Sequence, residues 1–146
     1  AERGYSLLLD QFATFNVTLE RFRIYREAVE AAGRAFDPLN VAVARGAAII
    51  RDEEEREIAI TRRMESLKRM NRLATSHDGS YRSSMASDPD LRKAAERGTL
   101  IGTPDEIIDH IHQLGNGGIE YILLSGTQND SQLMRDFSRE IMPAFA

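Results

Sequence analysis

Residues 103–124 read TPDEIIDHIHQLGNGGIEYILL and contain a helix start, a helix stop and a strand in succession. Thr103 stands at the N-cap position, Pro104 at the first helical position and Glu106 at the third, which predicts a capping box. The glycine-rich turn GNGG predicts the helix end, and Ile119–Leu124 is an apolar run typical of a buried strand. A helix that leads directly into such a strand indicates an α/β fold. Its buried face is predicted to consist of Ile107, Ile108, Ile111 and Leu114.

The same alternation of strand and helix signals extends over the whole chain. Short apolar runs predict strands, and amphipathic stretches bounded by capping residues and glycines predict helices. Strands separated by helices pair in parallel through right-handed crossovers. The other predicted elements are a strand at Tyr5–Leu9, a helix from Thr18 to Gly33, a strand at Val41–Ile50, a long helix opened by Asp52, a short helix from Asp88-Pro89 to Gly98, and a last helix with Leu133, Phe137 and Ile141.

Three parallel strands are few for a separate sheet, because both edges stay open. The pattern therefore predicts part of a TIM (β/α)8 barrel, namely its last three parallel strands with their helices, and a doubly wound sheet is the alternative. The opening residues Ala1–Gly4 are typical of the last turn of a helix and its terminating glycine. We therefore expect residues 1–146 to be a single C-terminal fragment of a larger domain, with 75–97 a loop or variable insertion.

Composition excludes several classes of protein. The 146 residues are 42% hydrophobic and 29% charged, which is typical of a globular chain. The net charge of −4 gives no basic footprint for nucleic acid, and no apolar run is long enough for a membrane helix. The absence of cysteine excludes disulfides and thiolate metal sites and fits a cytoplasmic location. His110 and His112 lie two positions apart and so point to different sides of a helix, and we expect no metal site.

Two polar stretches have simple structural interpretations. The long helix after Asp52 has an acidic first turn and a basic later part, which complements the helix dipole. The basic residues are interpreted as a solvated helix face rather than a binding patch. The basic residues of this helix are Arg62, Arg63, Lys68, Arg69 and Arg72.

Residues 75–87 are rich in Ser, His, Asp and Gly and predict a long loop.

Several segments, taken in order, resemble the C-terminal part of the bacterial luciferase-like flavin-dependent monooxygenases. The resemblance is most specific at Ile101–Ile107 and Gly118–Leu124, which are similar to the family's penultimate helix and eighth strand. It covers nearly the whole chain except about 75–97. The other segments that carry it are Ala1–Leu9, Arg23–Gly33, Ala48–Glu55 and Phe137–Phe145.

The resemblance implies a TIM-type barrel that uses reduced FMN or, in some branches, the deazaflavin F420. Members oxidise a small organic substrate with O2, whereas F420 members are often dehydrogenases or reductases, and most of the chemistry belongs to the cofactor. The family's Ser/Thr cluster that holds the flavin phosphate would lie before Ala1. The resemblance therefore implies a portion that is inactive alone, with no catalytic residue that we can assign.

Barrel active sites lie at the carboxyl ends of the strands. The resemblance implies a pocket-lining position after the first strand, so we predict Asp10 and Gln11 as cofactor-binding residues. The alternative for Asp10 is a turn residue that satisfies local amides. Arg51 has two interpretations, a contact to a cofactor phosphate or a salt bridge at a helix start. Further candidates at strand ends are Phe12, Phe15, Ile50, Ser125, Gly126, Thr127 and Gln128.

The loop His77–Ser87 has the position of a mobile active-site lid in luciferase-like proteins, and an ordinary surface loop is the alternative. For the whole chain, two functions are open. The first is the C-terminal portion of a flavin- or F420-dependent oxidoreductase. The second is a standalone, non-catalytic α/β module that acts by self-association. In either case we expect a homodimer, which would bury the exposed strands.

Overall fold

The computed structural model of the chain describes residues 1, 3–75, 90–125 and 130–146. Within them, strands and helices alternate, and every strand pair is parallel. The predicted α/β class is therefore confirmed. In chain order the elements are β1 (Leu7–Leu9), α1 (Phe15–Ala31), β2 (Val41–Ile49), α2 (Glu53–Ala74), α3 (Leu91–Gly98), β3 (Leu100–Gly102), α4 (Pro104–Asn116), β4 (Tyr121–Ser125) and α5 (Ser131–Glu140).

Strand β2 is the centre of the sheet. Its first half pairs with β1 and with β4, so that Val43 lies between Leu9 and Ile122. Its last three residues pair with β3. All other described strands therefore depend on β2 for their hydrogen bonds, and their carboxyl ends meet at one edge of the sheet.

Helices cover the two faces of the sheet unequally. A first core cluster joins one face to α1, α4 and α5, and a second joins β3 and the end of β2 to α2 and α3. The rest of the second face is open to solvent: Leu8 is 61% exposed, Tyr121 43% and Leu123 38%. We call Leu8, Ala42, Ala44, Tyr121 and Leu123 the open face, because their strand register places them on the same side.

The predicted start of one helix and the predicted end of another are confirmed. Thr103 and Glu106 form the full capping box, in which Glu106 accepts the Thr103 N–H at 2.7 Å and the Thr103 hydroxyl accepts the Glu106 N–H at 3.4 Å. Gly33 follows α1 with φ +71°, the left-handed conformation expected of a helix-terminating glycine. The N–H of Arg34 also returns to the carbonyl of Val29 at 3.2 Å, which satisfies the last turn.

The predicted start of α1 was wrong by one turn. The N-cap is Thr14, and Thr18 lies inside the helix with its side chain fully buried. Its hydroxyl donates to the carbonyl of Thr14 at 3.0 Å and accepts a hydrogen bond from Arg45. Thr18 therefore serves the core, although the same residue type is typical of an N-cap.

Strand β3 was not predicted, and α3 begins later than expected. β3 has only three residues, and they are buried on both sides, by α4 and by α2 and α3. A run this short has no readable period, so the sequence pattern does not separate it from the approach to the capping box. The N-cap of α3 is Asp90, whereas the predicted start, Asp88-Pro89, lies outside the described residues. So does the predicted loop over 75–87, apart from Thr75.

The charge pattern of α2 also gave one wrong assignment. Arg62, Lys68, Arg69 and Arg72 are exposed, as a solvated helix face predicts. Arg63 is partly buried beneath the sheet edge, and burial lowers its pKa. Arg63 is therefore not part of the solvated face: it is partly buried against Gln11 and Phe12.

Removal of the capping box should destabilise the chain measurably. We expect Thr103→Ala to lower the free energy of unfolding by about 1 kcal/mol, because the Glu106 N–H then loses its partner. Thr61→Ala is the matched control, since Thr61 is exposed in the middle of α2. Urea denaturation of both variants provides the measurement, and equal stabilities would contradict a capping role.

The two glycines that border helices should respond to alanine in opposite directions. A Cβ meets no atom within 4 Å at Gly33 or at Gly115, so the backbone conformation alone determines how alanine changes the stability. Gly33→Ala forces a side chain into the left-handed region and should cost about 1–2 kcal/mol. Gly115→Ala lies within α4 and should stabilise by up to about 1 kcal/mol. Thermal unfolding compares them, and a shift of the same sign in both would show that backbone conformation does not decide.

Candidate functional site

A cleft of about 920 Å³ lies at the carboxyl edge of the sheet, between α2 and the start of α5. Its floor is the second half of β2, where the small residues from Gly46 to Ala48 leave space above the strand. The cleft has the size of a small-molecule site. Its polar and charged lining residues are Gln11, Glu55, Arg62, Arg63, Ser66, Thr99, Ser125, Asp130, Gln132 and Asp136.

Gln11 and Ser125 join the ends of two strands across the cleft. Gln11 follows β1 and Ser125 ends β4, and the Ser125 hydroxyl donates to Oε1 of Gln11 at 2.7 Å. Because Gln11 accepts through Oε1, its Nε2 is the atom with which it can donate to a ligand. The strands thus bring together two predicted candidates that are 114 positions apart.

Asp10 has a different environment from its neighbour. Its Oδ1 accepts the N–H groups of Phe12 at 2.7 Å and Ala13 at 3.0 Å, and its Oδ2 forms an ion pair with Arg21 at 2.6 Å. These contacts are the ones expected of a turn residue that satisfies local amides. Gln11 lines the cleft, whereas the carboxylate of Asp10 organises the turn that follows β1.

A buried arginine, Arg45, lies directly behind this segment. It belongs to the middle strand β2, and its side chain has no exposed surface. Its Nη1 donates to the carbonyl oxygens of Asp10 and Ala44, each at 2.7 Å, and its Nη2 donates to the hydroxyl of Thr18. Burial lowers the pKa of Arg45 to about 10, and the nearby Asp10 carboxylate opposes that shift.

A second arginine, Arg63 of α2, approaches the same segment from the cleft side. Its Nη2 donates to the carbonyl of Gln11, and its guanidinium lies 5.2 Å from the ring centroid of Phe12. Burial lowers the pKa of Arg63, and Asp10 again opposes the shift. The neighbouring Arg62 is exposed at the cleft, with no ion pair to any described residue, so the cleft has a cation available for an anionic group.

Two buried polar atoms of the cleft lining have no hydrogen-bond partner within the described parts of the chain. They are the hydroxyl oxygen of Thr99 and Nε of Arg63. Unpaired buried polar groups are uncommon in folded proteins and often occur at functional sites. Nothing in the sequence marks Thr99 as such a residue, since it follows the short helix α3 without a motif.

Other predicted candidates have structural partners. Arg51 forms a salt bridge, as one of its two interpretations predicts, but the partner is the carboxylate of Glu140 at the end of α5, at 2.5 Å, rather than an acidic side chain of a helix start. Phe15 was expected near the mouth of the cleft but is buried in the first core cluster. Ile50 is buried and lines the cleft. Gly126, Thr127, Gln128 and the predicted lid His77–Ser87 lie outside the described residues.

The described residues contain no group of three or more His, Asp or Glu side chains arranged to hold a metal ion. His110 contacts the ring of Phe15, and burial lowers its pKa, while His112 contacts the ring of Phe145. Across residues 3–75, 90–125 and 130–146, no helix is both long and apolar enough to cross a membrane. A cytoplasmic location stays a prediction.

Solved structures similar to this chain show the same fold. Monooxygenase RslO1 from Streptomyces bottropensis matches 99% of this chain with 23% identity and a TM-score of 0.65. The oxygenating constituent of 3,6-diketocamphane monooxygenase from Pseudomonas putida, a type II Baeyer-Villiger enzyme in complex with FMN, matches 97% with 19% identity and a TM-score of 0.61. An F420-dependent secondary alcohol dehydrogenase in complex with an F420-acetone adduct matches 98% with 18% identity and a TM-score of 0.62.

In each case the chain spans only 43% of the length of the matched structure. The parallel strands, the flanking helices and this partial coverage together confirm the predicted partial TIM barrel. No curated protein sequence matches the chain significantly.

A family model supplies the identification. The model of the luciferase-like monooxygenases matches residues 1–121, which is most of the chain and includes β1, β2, the capping box of α4 and the cleft-forming helix α2. The family match also agrees with the resemblance seen in the ordered sequence segments. The chain belongs to the luciferase-like monooxygenase family.

Proposed function

We propose that the chain is the C-terminal portion of a flavin- or F420-dependent oxidoreductase and that its cleft forms one wall of the cofactor site. The observation that carries the proposal is the Gln11–Ser125 pair, which joins the carboxyl ends of β1 and β4 beside two arginines. This edge of a parallel barrel is where ligands bind. The predicted cofactor-binding residues Asp10 and Gln11 then act differently: Gln11 contacts the ligand, and Asp10 shapes the turn that presents it.

The lining residues fit a flavin-type group. A flavin-type ring system has an apolar face and an edge of hydrogen-bonding atoms, and it carries a phosphate-bearing chain. The cleft offers apolar surface from Ile50 and Ile101, an amide donor on Gln11, an unpaired hydroxyl on Thr99 and the exposed cation of Arg62. In this assignment Gln11 and Thr99 would hold the ring edge, and Arg62 would hold an anionic group.

When bound, the cofactor supplies the redox chemistry: reduced FMN activates O2 for oxidation of an organic substrate, and F420 exchanges a hydride with one. The residues of this chain bind and orient. Arg62 and Arg63 place positive charge at the cleft, and the carboxylates of Glu55, Asp130 and Asp136 line it as well. The charge of the lining as a whole therefore does not favour an anionic ligand, and the anionic group of the cofactor would have to bind beside the arginines of α2. Two of the similar structures are complexes with FMN and with an F420 adduct, and they support both cofactors as candidates.

Loss of the amide at position 11 should weaken cofactor binding. We expect Gln11→Ala to raise the dissociation constant for FMN or F420 about fivefold, because a hydrogen bond of about 1 kcal/mol is lost. Ser125→Ala should have a smaller effect, since it removes only the partner that orients Gln11. Fluorescence titration of the protein encoded by the complete reading frame provides the measurement.

Gln113→Ala and Ser6→Ala are the matched controls, since both residues are exposed and lie away from the cleft. Both should bind the cofactor as the wild type does. An unchanged affinity in Gln11→Ala, with normal binding by the wild type, would remove Gln11 from the site. A wild-type protein that binds neither FMN nor F420 would refute the proposed function.

The open face supports the second candidate function, a standalone non-catalytic module that acts by self-association. Leu8 on β1 and Tyr121 and Leu123 on β4 lie on either side of Ala42 and Ala44 of β2, and the five residues form an apolar strip across the sheet. Such strips commonly lie in interfaces. Two copies could bury this strip against each other about a two-fold axis. The same strip is also compatible with the first proposal, in which the remaining part of a barrel covers it. We propose a homodimer in either case.

A charge on the open face should abolish self-association. We expect Leu8→Glu to convert a dimer to a monomer, because a carboxylate cannot be buried there without a partner. Leu39→Glu is the matched control, since Leu39 has the same 61% exposure but lies outside the sheet. Sedimentation velocity of the 146-residue chain measures the effect. A wild-type chain that is monomeric at all concentrations would exclude the self-association function.

A further inference from the structure

We propose that Arg45 and Arg63 are positioning residues that fix the Asp10–Gln11 segment, so that the side chain of Gln11 is presented to the cleft. The proposal deepens the proposed function and rests on it for the ligand that Gln11 binds. The positioning itself is a property of the chain and can be measured without a ligand.

Arg45 holds the first residue of the segment. It is fully buried in the middle strand, behind the cleft and not among its lining residues. An apolar side chain of similar volume would fill this place at a lower desolvation cost, so the geometry points to the bonds that only a guanidinium makes. Those bonds run to the carbonyl of Asp10 at 2.7 Å and to the hydroxyl of Thr18, and they connect β2, α1 and the end of β1.

Arg63 performs the same task one residue further along. Its Nη2 donates to the carbonyl of Gln11, and its guanidinium lies over the ring of Phe12. A third arginine, Arg21, binds the carboxylate of Asp10 at 2.6 Å. Three arginines from α1, β2 and α2 therefore bind two consecutive residues.

The two carbonyl groups need these donors because β1 has ended. Strand β1 stops at Leu9, so the carbonyls of Asp10 and Gln11 have left the ladder of the sheet. A carbonyl left unpaired at a partly buried position is costly, and a guanidinium supplies a charged donor for each. With its backbone held in this way, Gln11 reaches Ser125 on β4.

The segment contains its own reporters. The amide hydrogens of Phe12 and Ala13 are bound by Oδ1 of Asp10, and their exchange with solvent requires the turn to open. In Arg45→Met, where the Asp10 carbonyl loses its buried donor, we expect both amides to exchange about tenfold faster. Arg45→Lys keeps one charged donor and should give an intermediate rate. Arg92→Met is the control, because Arg92 lies in an exposed ion pair with Glu57 and should leave residues 10–13 unchanged.

Hydrogen exchange followed by NMR on the folded chain tests the positioning. A folded Arg45→Met protein whose residues 10–13 exchange at the wild-type rate would overturn the proposal. If Arg45→Met is recovered unfolded, Arg63→Met decides by the same measurement, since Arg63 is only partly buried. Faster exchange at residues 10–13 in that variant supports the proposal, and an unchanged rate overturns it.

A double-mutant cycle in the protein encoded by the complete reading frame, with FMN and F420 as probes, tests whether the effect on binding passes through Gln11. Arg45→Met should weaken binding in the wild-type background but not in the Gln11→Ala background. Equal losses in both backgrounds would show that Arg45 does not act through Gln11. If the wild type binds neither probe, the proposed function fails, while the exchange rates still decide the positioning.

Discussion

The pairing of β2 with three other strands is the constraint on which the rest of the structure depends. Side chains alternate along β2, so Val41, Val43 and Arg45 face the helices while Ala42 and Ala44 lie on the open face. A register shift of one residue would move Arg45 to the open face and detach it from Asp10 and Thr18. The parallel direction of all pairs also collects the strand ends at one edge. The cleft is thus a consequence of strand pairing rather than of any local motif.

Charge balance around Asp10 explains how two arginines are tolerated inside a small structure. Burial lowers the pKa of Arg45 and Arg63 because it disfavours their charged forms. The carboxylate of Asp10 stabilises both charges and so offsets part of this shift. With its pKa at about 10, Arg45 remains protonated at neutral pH and keeps its role as a donor. In a buried set of opposite charges, removal of one charged partner leaves another charge uncompensated. That loss destabilises the protein far more than replacement of all the charged residues by apolar ones.

Local signals made much of the fold predictable. The capping box at Thr103 and the glycine at Gly33 depend on neighbours in sequence, and both are as predicted. Long-range contacts could not be predicted from local signals. The prediction of Thr18 as a cap is wrong because no neighbouring residue indicates that its hydroxyl binds the buried Arg45, 27 positions away. Arg63 was assigned to solvent on the charge pattern of its own helix. The one signal in the sequence was Arg45 itself, a single charge within the run of small and apolar residues VAVARGAAII.

For the candidate site, too, the sequence pattern indicates a segment of the chain but not which of its side chains faces the cleft. The rule that barrel sites lie after strands led to Asp10 and Gln11, but it does not say which side chain faces the ligand. A continued strand would place Asp10 on the side of Leu8 and Gln11 on the side of the buried Leu9. The chain instead bends after Leu9, because Oδ1 of Asp10 accepts the amide hydrogens of Phe12 and Ala13, and Gln11 turns toward Ser125 on the cleft side. The turn interpretation of Asp10 is therefore compatible with the proposed site, because the carboxylate that forms the turn lets the side chain of Gln11 reach the cleft.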